Sequence, residues 1–301
     1  LASLAGCMTP QPTALVTAGA VNPVLDANFP DPAVIRTADG TFYAYATQGE
    51  VGGRMQNIQM ARSRDLVTWE QVGDALPDKP VWAGRTQDFW APHVSERAGR
   101  YYLYYSAKPD AALADETQGL CLAVAVADRP EGPFVDIGKP LQCGESFVNI
   151  DPMAFEDPVS GKSYLYWGSG FGPIKVRELA PDRISFAPDS AAIDLVPVIP
   201  DEDPANYQRL VEGAWVTRHG GYYYLFYSGD NCCGPKAHYA VMVARSRAPT
   251  GPFETLAEVT GAPSSVILAQ DPRWIAPGHN AIFTDEQGAS WILYHAVDAQ
   301  R

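Results

Sequence analysis

Five short aromatic runs recur along the chain at nearly constant spacing: TFYAYAT at 41–47, YYLYYSA at 101–107, SYLYWGS at 163–169, YYYLFYS at 222–228 and SWILYHA at 290–296. Their second residues, Phe42, Tyr102, Tyr164, Tyr223 and Trp291, lie 60, 62, 59 and 68 positions apart. A fixed period on this scale signals a repeat architecture and outranks any local feature in deciding the fold. Each run clusters or alternates apolar and aromatic residues and is bounded by Gly, Asp or Pro, the pattern of a strand and not of a helix. A unit of about 60 residues accommodates four short strands with their turns, and radial closure of such sheets gives a β-propeller. The sequence therefore predicts an all-β, five-bladed β-propeller over residues 21–301. The 26 Gly and 26 Pro supply the turns that many short strands require.

A second periodicity precedes each aromatic run by about a dozen residues. It falls on Asp31, Pro92, Asp151, Glu212 and His279, at steps of 61, 59, 61 and 67. The first strand of a propeller blade lines the central channel, so these five places are expected to converge near the axis. Three of them are acids and one is a histidine. Asp31 and Asp151 each precede a proline, and Asp-Pro alone reads as a turn start. Their common phase with Glu212 argues instead for one shared site.

At these residues the chain resembles glycoside hydrolase family 43, five-bladed propellers that cleave arabinose- or xylose-containing polysaccharides. NPVLDANFPDPAVIR resembles the opening segment with its general base, NIDPMAFEDPVSGKSYLYWGS the segment with its second aspartate, and VEGAWVTRHGGYYYLFYS the segment with its general acid. SRDLVTWEQVG, FWAPHV, GPF and GHNAIF are similar to signatures of the intervening blades, so the likeness covers about residues 21 to 298. It implies that Asp31 is the general base, Glu212 the general acid, and Asp151 the residue that orients the acid and tunes its pKa. It also implies a plant cell-wall polysaccharide or oligosaccharide as substrate. Chemistry independently favours that trio. An inverting glycosidase pairs a protonated carboxyl with an ionised carboxylate, typically ~6.5–9.5 Å apart, and a third carboxylate near the acid disfavours its ionisation.

Most of the 15 Tyr, 11 Phe and 7 Trp belong to blade packing. Trp90 is the exception, since the resemblance puts a substrate-facing aromatic there. By the same likeness His279 sits beside a central ion, often calcium, as an outer partner and not a direct ligand, because calcium prefers oxygen. His93 is offset from the phase position, His295 ends the last aromatic run, and His219 and His238 read as loop or strand-edge residues. No HExxH, CxxC, GxSxG or GxxxxGK[ST] motif occurs, which leaves metallohydrolase, serine-hydrolase and nucleotide chemistry without support. Lys and Arg total 22 against 35 Asp and Glu, a net charge of −13 with no basic stripe, so nucleic acid is not an expected partner.

Residues 1–20 form a separate expectation. Leu4-Ala5-Gly6-Cys7 resembles a bacterial lipobox, with Cys7 as the lipidated residue and the following Thr, Ala and Pro as a tether. That motif predicts an exported lipoprotein, periplasmic or at the cell surface, that meets the membrane only through the lipid; without the lipid the expectation is a secreted protein. Cys121 and Cys143 could bridge in an oxidising compartment, whereas the adjacent Cys232 and Cys233 are either a vicinal disulfide or two free thiols. Arg301 lies five residues past the last aromatic run, so the fifth blade is expected to lack its outer strands. GDNCCGPKAHYAVMVARS looks more like arabinan- and arabinofuranoside-cleaving members than xylosidases. The expected activity is thus that of an α-L-arabinofuranosidase or arabinanase. The alternatives are a β-xylosidase of the same fold and a non-catalytic sugar-binding propeller.

Overall fold

A computed structural model describes residues 21–110, 118–285 and 288–301, so the lipobox and tether lie outside the described residues. The architecture is all-β, a β-propeller of antiparallel sheets. Four sheets are complete blades. The first runs Ala33–Arg36, Phe42–Ala46, Gln59–Ser63 and Glu70–Asp74, and the second Phe89–Arg97, Arg100–Ala107, Gln118–Ala127 and Val135–Asp136. The third runs Met153–Glu156, Ser163–Trp167, Ile174–Leu179 and Ile193–Val196, and the fourth Val211–His219, Tyr222–Asn231, His238–Ser246 and Glu254–Thr255. Among the described residues the fifth sheet has two strands, Trp274–Thr284 and Ser290–Asp298. Five uniform four-stranded units are therefore not what the described chain forms.

The first strands of the five sheets touch one another in chain order, and the fifth also touches the first, so they form a closed cycle around the axis. Each aromatic run is the second strand of its sheet, and in the first four sheets the period of two sends alternate residues into the packing on opposite faces, whereas the fifth, Ser290–Asp298, is only partly buried. Tyr43 and Tyr45 join the cluster between blades one and two, while Phe42 meets Phe283 of the fifth sheet at 5.7 Å. Tyr102 and Tyr104 pack toward blade three with Leu165 and Trp167.

Register shows a repeated inter-blade tether. Tyr45, Tyr104 and Tyr166 pair with Ala33, His93 and Met153 of their own first strands. Each donates its hydroxyl to a carbonyl in the outer turn of the next blade: Tyr45 to Pro130 at 2.7 Å, Tyr104 to Arg183 at 2.7 Å and Tyr166 to Pro249 at 2.6 Å. The matching residue of blade four, paired with Trp215, is Phe226, which has no hydroxyl to donate. Cys121 and Cys143 are disulfide-bonded across paired strands of blade two.

Replacing Tyr104 by Phe removes a buried donor and leaves the Arg183 carbonyl without it, a loss of about 1–2 kcal/mol. The urea midpoint of Tyr104→Phe should fall accordingly, and a midpoint equal to wild type would show that the hydroxyl contributes nothing.

Candidate active site

The axial end of each sheet carries a residue with left-handed backbone: Asp31 (φ 55°), Ala91 (46°), Asp151 (58°), Gly213 (60°) and His279 (45°). Such a conformation is costly for a residue with a Cβ, and it persists where surrounding bonds hold it. Those bonds come from the preceding sheet. The Thr47 hydroxyl accepts the Ala91 N–H at 2.7 Å, Ser106 accepts that of Asp151 at 3.2 Å, and Ser228 accepts that of His279 at 2.8 Å. His295 of the fifth sheet accepts the Asp31 N–H through Nδ1 at 3.0 Å, which joins the last sheet to the first. Blade three has Gly168 at the matching place, and there the Asp151 carboxylate accepts the Gly213 N–H at 2.9 Å.

Two of the five positions that recur in the sequence stand one residue from the left-handed place. The left-handed residue of blade two is Ala91 and not Pro92, and that of blade four is Gly213 and not Glu212. Both first strands carry a register shift there, between Trp90 and His93 and between Glu212 and Trp215, and counting along the sequence does not see it. Glu212 and Trp90 in fact hold the same register place, opposite Ser228 and Ser106.

Asp31, Asp151, Glu212, His279 and Trp90 line one pocket of about 1440 Å3, whose walls extend to Leu66 and Trp69 of blade one and to Phe283 and Trp291 of the fifth sheet. His279 Nδ1 stands 3.2 Å from Asp31 Oδ1 and 3.8 Å from Asp151 Oδ2. Thr47 donates to Asp31 Oδ2 at 2.5 Å. Glu212 is held by two hydroxyls, Tyr239 on Oε1 at 2.7 Å and Ser169 on Oε2 at 3.0 Å, and Tyr239 stacks on His295 with rings 5.9 Å apart.

Burial and charge divide the three acids. Burial opposes ionisation of Asp31, yet His279 beside it, through its charge and its hydrogen bond, outweighs that and holds the carboxyl well below the ordinary value of 3.8. Burial pushes Asp151 well above that value, with Glu212 and Asp31 acting in the same direction. Glu212 is raised from 4.5 mainly by burial, despite the donor hydroxyls of Tyr239 and Ser169. His279 loses solvation on burial, but its three carboxylate neighbours more than compensate and push it up to about 9. The site thus contains one carboxyl whose ionisation is favoured, two whose ionisation is opposed, and one imidazole whose protonation is favoured.

Sequence reasoning did not single out Thr47, Ser169, Tyr239 or His295. A signal for most of them was present, because each aromatic run carries a hydroxyl or a histidine at its last or last-but-one place: Thr47, Ser106, Ser169, Ser228 and His295. His93 packs against Trp215, and burial lowers it to about 3. Cys232 and Cys233 are bonded to each other at the pocket margin.

The family model described as glycosyl hydrolases family 43 matches residues 20–301. The chain belongs to this family. It is 30% identical over 285 residues to a probable arabinan endo-1,5-α-L-arabinosidase A of Aspergillus flavus, covering 90% of this chain and 82% of that one. An extracellular exo-α-(1→5)-L-arabinofuranosidase of Cellvibrio japonicus is 27% identical, with 89% and 79% covered. The solved α-L-arabinanase of Cellvibrio cellulosa superposes with a TM-score of 0.74 at 24% identity over 91% of this chain and 88% of that one, a likeness of fold. Family membership makes the chain a glycoside hydrolase.

His279 titrates near 9 when folded against an ordinary 6.5, so the stability from its charge is complete below about 6.5 and lost as pH rises through about 9. The wild type should lose on the order of 3 kcal/mol between those limits. His279→Gln should lack this decline, and parallel stability profiles for the two proteins would refute the assignment.

Proposed function

We propose that the chain hydrolyses α-L-arabinofuranosidic linkages of arabinan or arabinoxylan with inversion at the anomeric carbon. In this reading ionised Asp31 takes a proton from the attacking water, protonated Glu212 donates to the leaving oxygen, and Asp151 orients the acid and helps to retain its proton. The observation that carries the reading is the division of charge within one pocket, with Asp31 low and the Asp151–Glu212 pair raised. Paired acids with opposed shifts are what acid–base chemistry on a glycosidic bond requires. The substrate rests on the relatives, several of which are described as arabinan endo-1,5-α-L-arabinosidases or α-(1→5)-L-arabinofuranosidases. Trp90 supplies an aromatic wall beside the acids.

The two-stranded sheet is the fifth blade in this reading, supported by the closed cycle of first strands. The expected calcium belongs in a small axial cavity lined by His93, His279 and Asn280, where the buried Asn280 amide has no partner. No group of three or more His, Cys, Asp or Glu among the described residues is arranged to hold a metal, so the ion fits as one held through water, with a structural role. Export and lipidation of Cys7 complete the proposal. The two disulfides and the extracellular Cellvibrio relative support export.

Hydrolysis of p-nitrophenyl α-L-arabinofuranoside and of debranched arabinan tests the roles. Glu212→Ala should lower kcat/KM on arabinan about 10²–10⁴-fold and much less on the nitrophenyl glycoside, whose leaving group needs no proton. Asp31→Ala should impair both substrates alike. A wild type that prefers β-D-xylopyranoside would overturn the arabinoside assignment, and retention of configuration by proton NMR would overturn the inverting one.

The alkaline limb of kcat/KM should follow loss of the proton held by the Asp151–Glu212 pair. Tyr239→Phe removes a bond that favours ionised Glu212, so its pKa should rise further and the limb should move to higher pH. A limb that stays in place or moves to lower pH would contradict the assignment of Glu212 as the acid.

A further inference from the structure

Two phenylalanines at the pocket margin have no part in the chemistry described above. Phe171 is 64% exposed and sits at φ 60°, a left-handed conformation that a bulky side chain rarely adopts. Its ring meets Phe147 edge to face, with centroids 5.7 Å apart and planes at 71°. Both line the same pocket as Asp31, Asp151 and Glu212. The chain carries them close to the acids, since Phe147 is four residues before Asp151 and Phe171 two residues after Ser169, which bonds Glu212.

The backbone beneath the rings is fixed from two sides. A Cβ on Gly170 would stand 2.5 Å from Val148 Cγ1 and 3.0 Å from the Val148 backbone, so only glycine lets the two loops lie against each other. On the far side a Cβ on Gly119 would meet the Ser146 backbone at 1.8 Å, and Ser146 (φ 48°) accepts the Leu120 N–H at 2.8 Å. The Phe147 loop is thus clamped between two glycines. An exposed apolar ring on strained, clamped backbone is unfavourable in isolation, and such a patch at the edge of a site marks a contact surface.

We propose that Phe147 and Phe171 form a stacking platform for a sugar ring of the polysaccharide that lies away from the bond being cleaved. The proposal rests on the arabinan reading and assigns the pair to chain-length recognition. A T-shaped ring pair presents an apolar face to the C–H surface of a sugar, and its rigidity lowers the ordering cost of binding.

The test compares arabinohexaose with p-nitrophenyl α-L-arabinofuranoside, and adds calorimetric binding of arabinohexaose in a Glu212→Gln background. Phe171→Ala should lower the ratio of the two kcat/KM values about tenfold, through KM on the hexaose, and should raise the hexaose Kd by about the same factor. Phe171→Trp should keep both within about twofold of wild type, as a flat ring of another shape still stacks. Gly170→Ala, which displaces the loop without removing a ring, should fall between. A Phe171→Ala protein with the wild-type ratio and Kd overturns the platform while leaving the arabinan reading intact. A wild type that neither cleaves nor binds arabinosides overturns both.

Discussion

The site depends on one recurring contact, in which a side chain at the end of an aromatic strand accepts the N–H of a left-handed residue in the next sheet. Thr47, Ser106, Ser228 and His295 do this for Ala91, Asp151, His279 and Asp31. The left-handed turn points each side chain into the channel, and the accepted N–H removes the penalty of a buried, unpaired donor. Where the series lacks a side chain, at Gly168, Asp151 accepts from Gly213 in its place. Asp151 is therefore both a structural acceptor and a neighbour of the acid.

The electrostatics follow from that convergence. Three carboxylates are brought into a buried space with one nearby imidazolium, and they cannot all ionise cheaply. His279 lies 3.2 Å from Asp31 and 3.8 Å from Asp151, so its charge favours Asp31. Glu212 is left to burial, with two hydroxyls that keep it in place but do not offset its desolvation. Opposed shifts in proton affinity thus arise from placement alone, among residues of the same chemical type.

The fold and the three acids were legible because both depend on periodicity, and a period near 60 survives small irregularities. The aromatic strands at 42, 102, 164, 223 and 291 became the second strands of five successive sheets. The fine positions were not legible, because the register that places Trp90 and Glu212 opposite Ser106 and Ser228 is set by the pairing of the strands and not by spacing along the chain. His295 looked like the end of a strand, since its role depends on a residue 264 positions away. Tyr239 lies in a third strand, away from both periodic series, and only the folded chain brings its hydroxyl to Glu212. The Phe226 substitution in the tyrosine series was visible, but its meaning required knowing which neighbour each ring faces.

The bond between Asp31 and His295 has a consequence for how the molecule fails. The seam between first and last sheets runs through the residue read as the base, and His295 also stacks on the tyrosine that holds Glu212. Parting that seam would disturb the surroundings of Asp31 and of Glu212 together. Closure of the ring and the placement of Asp31 and Glu212 are thus a single structural condition.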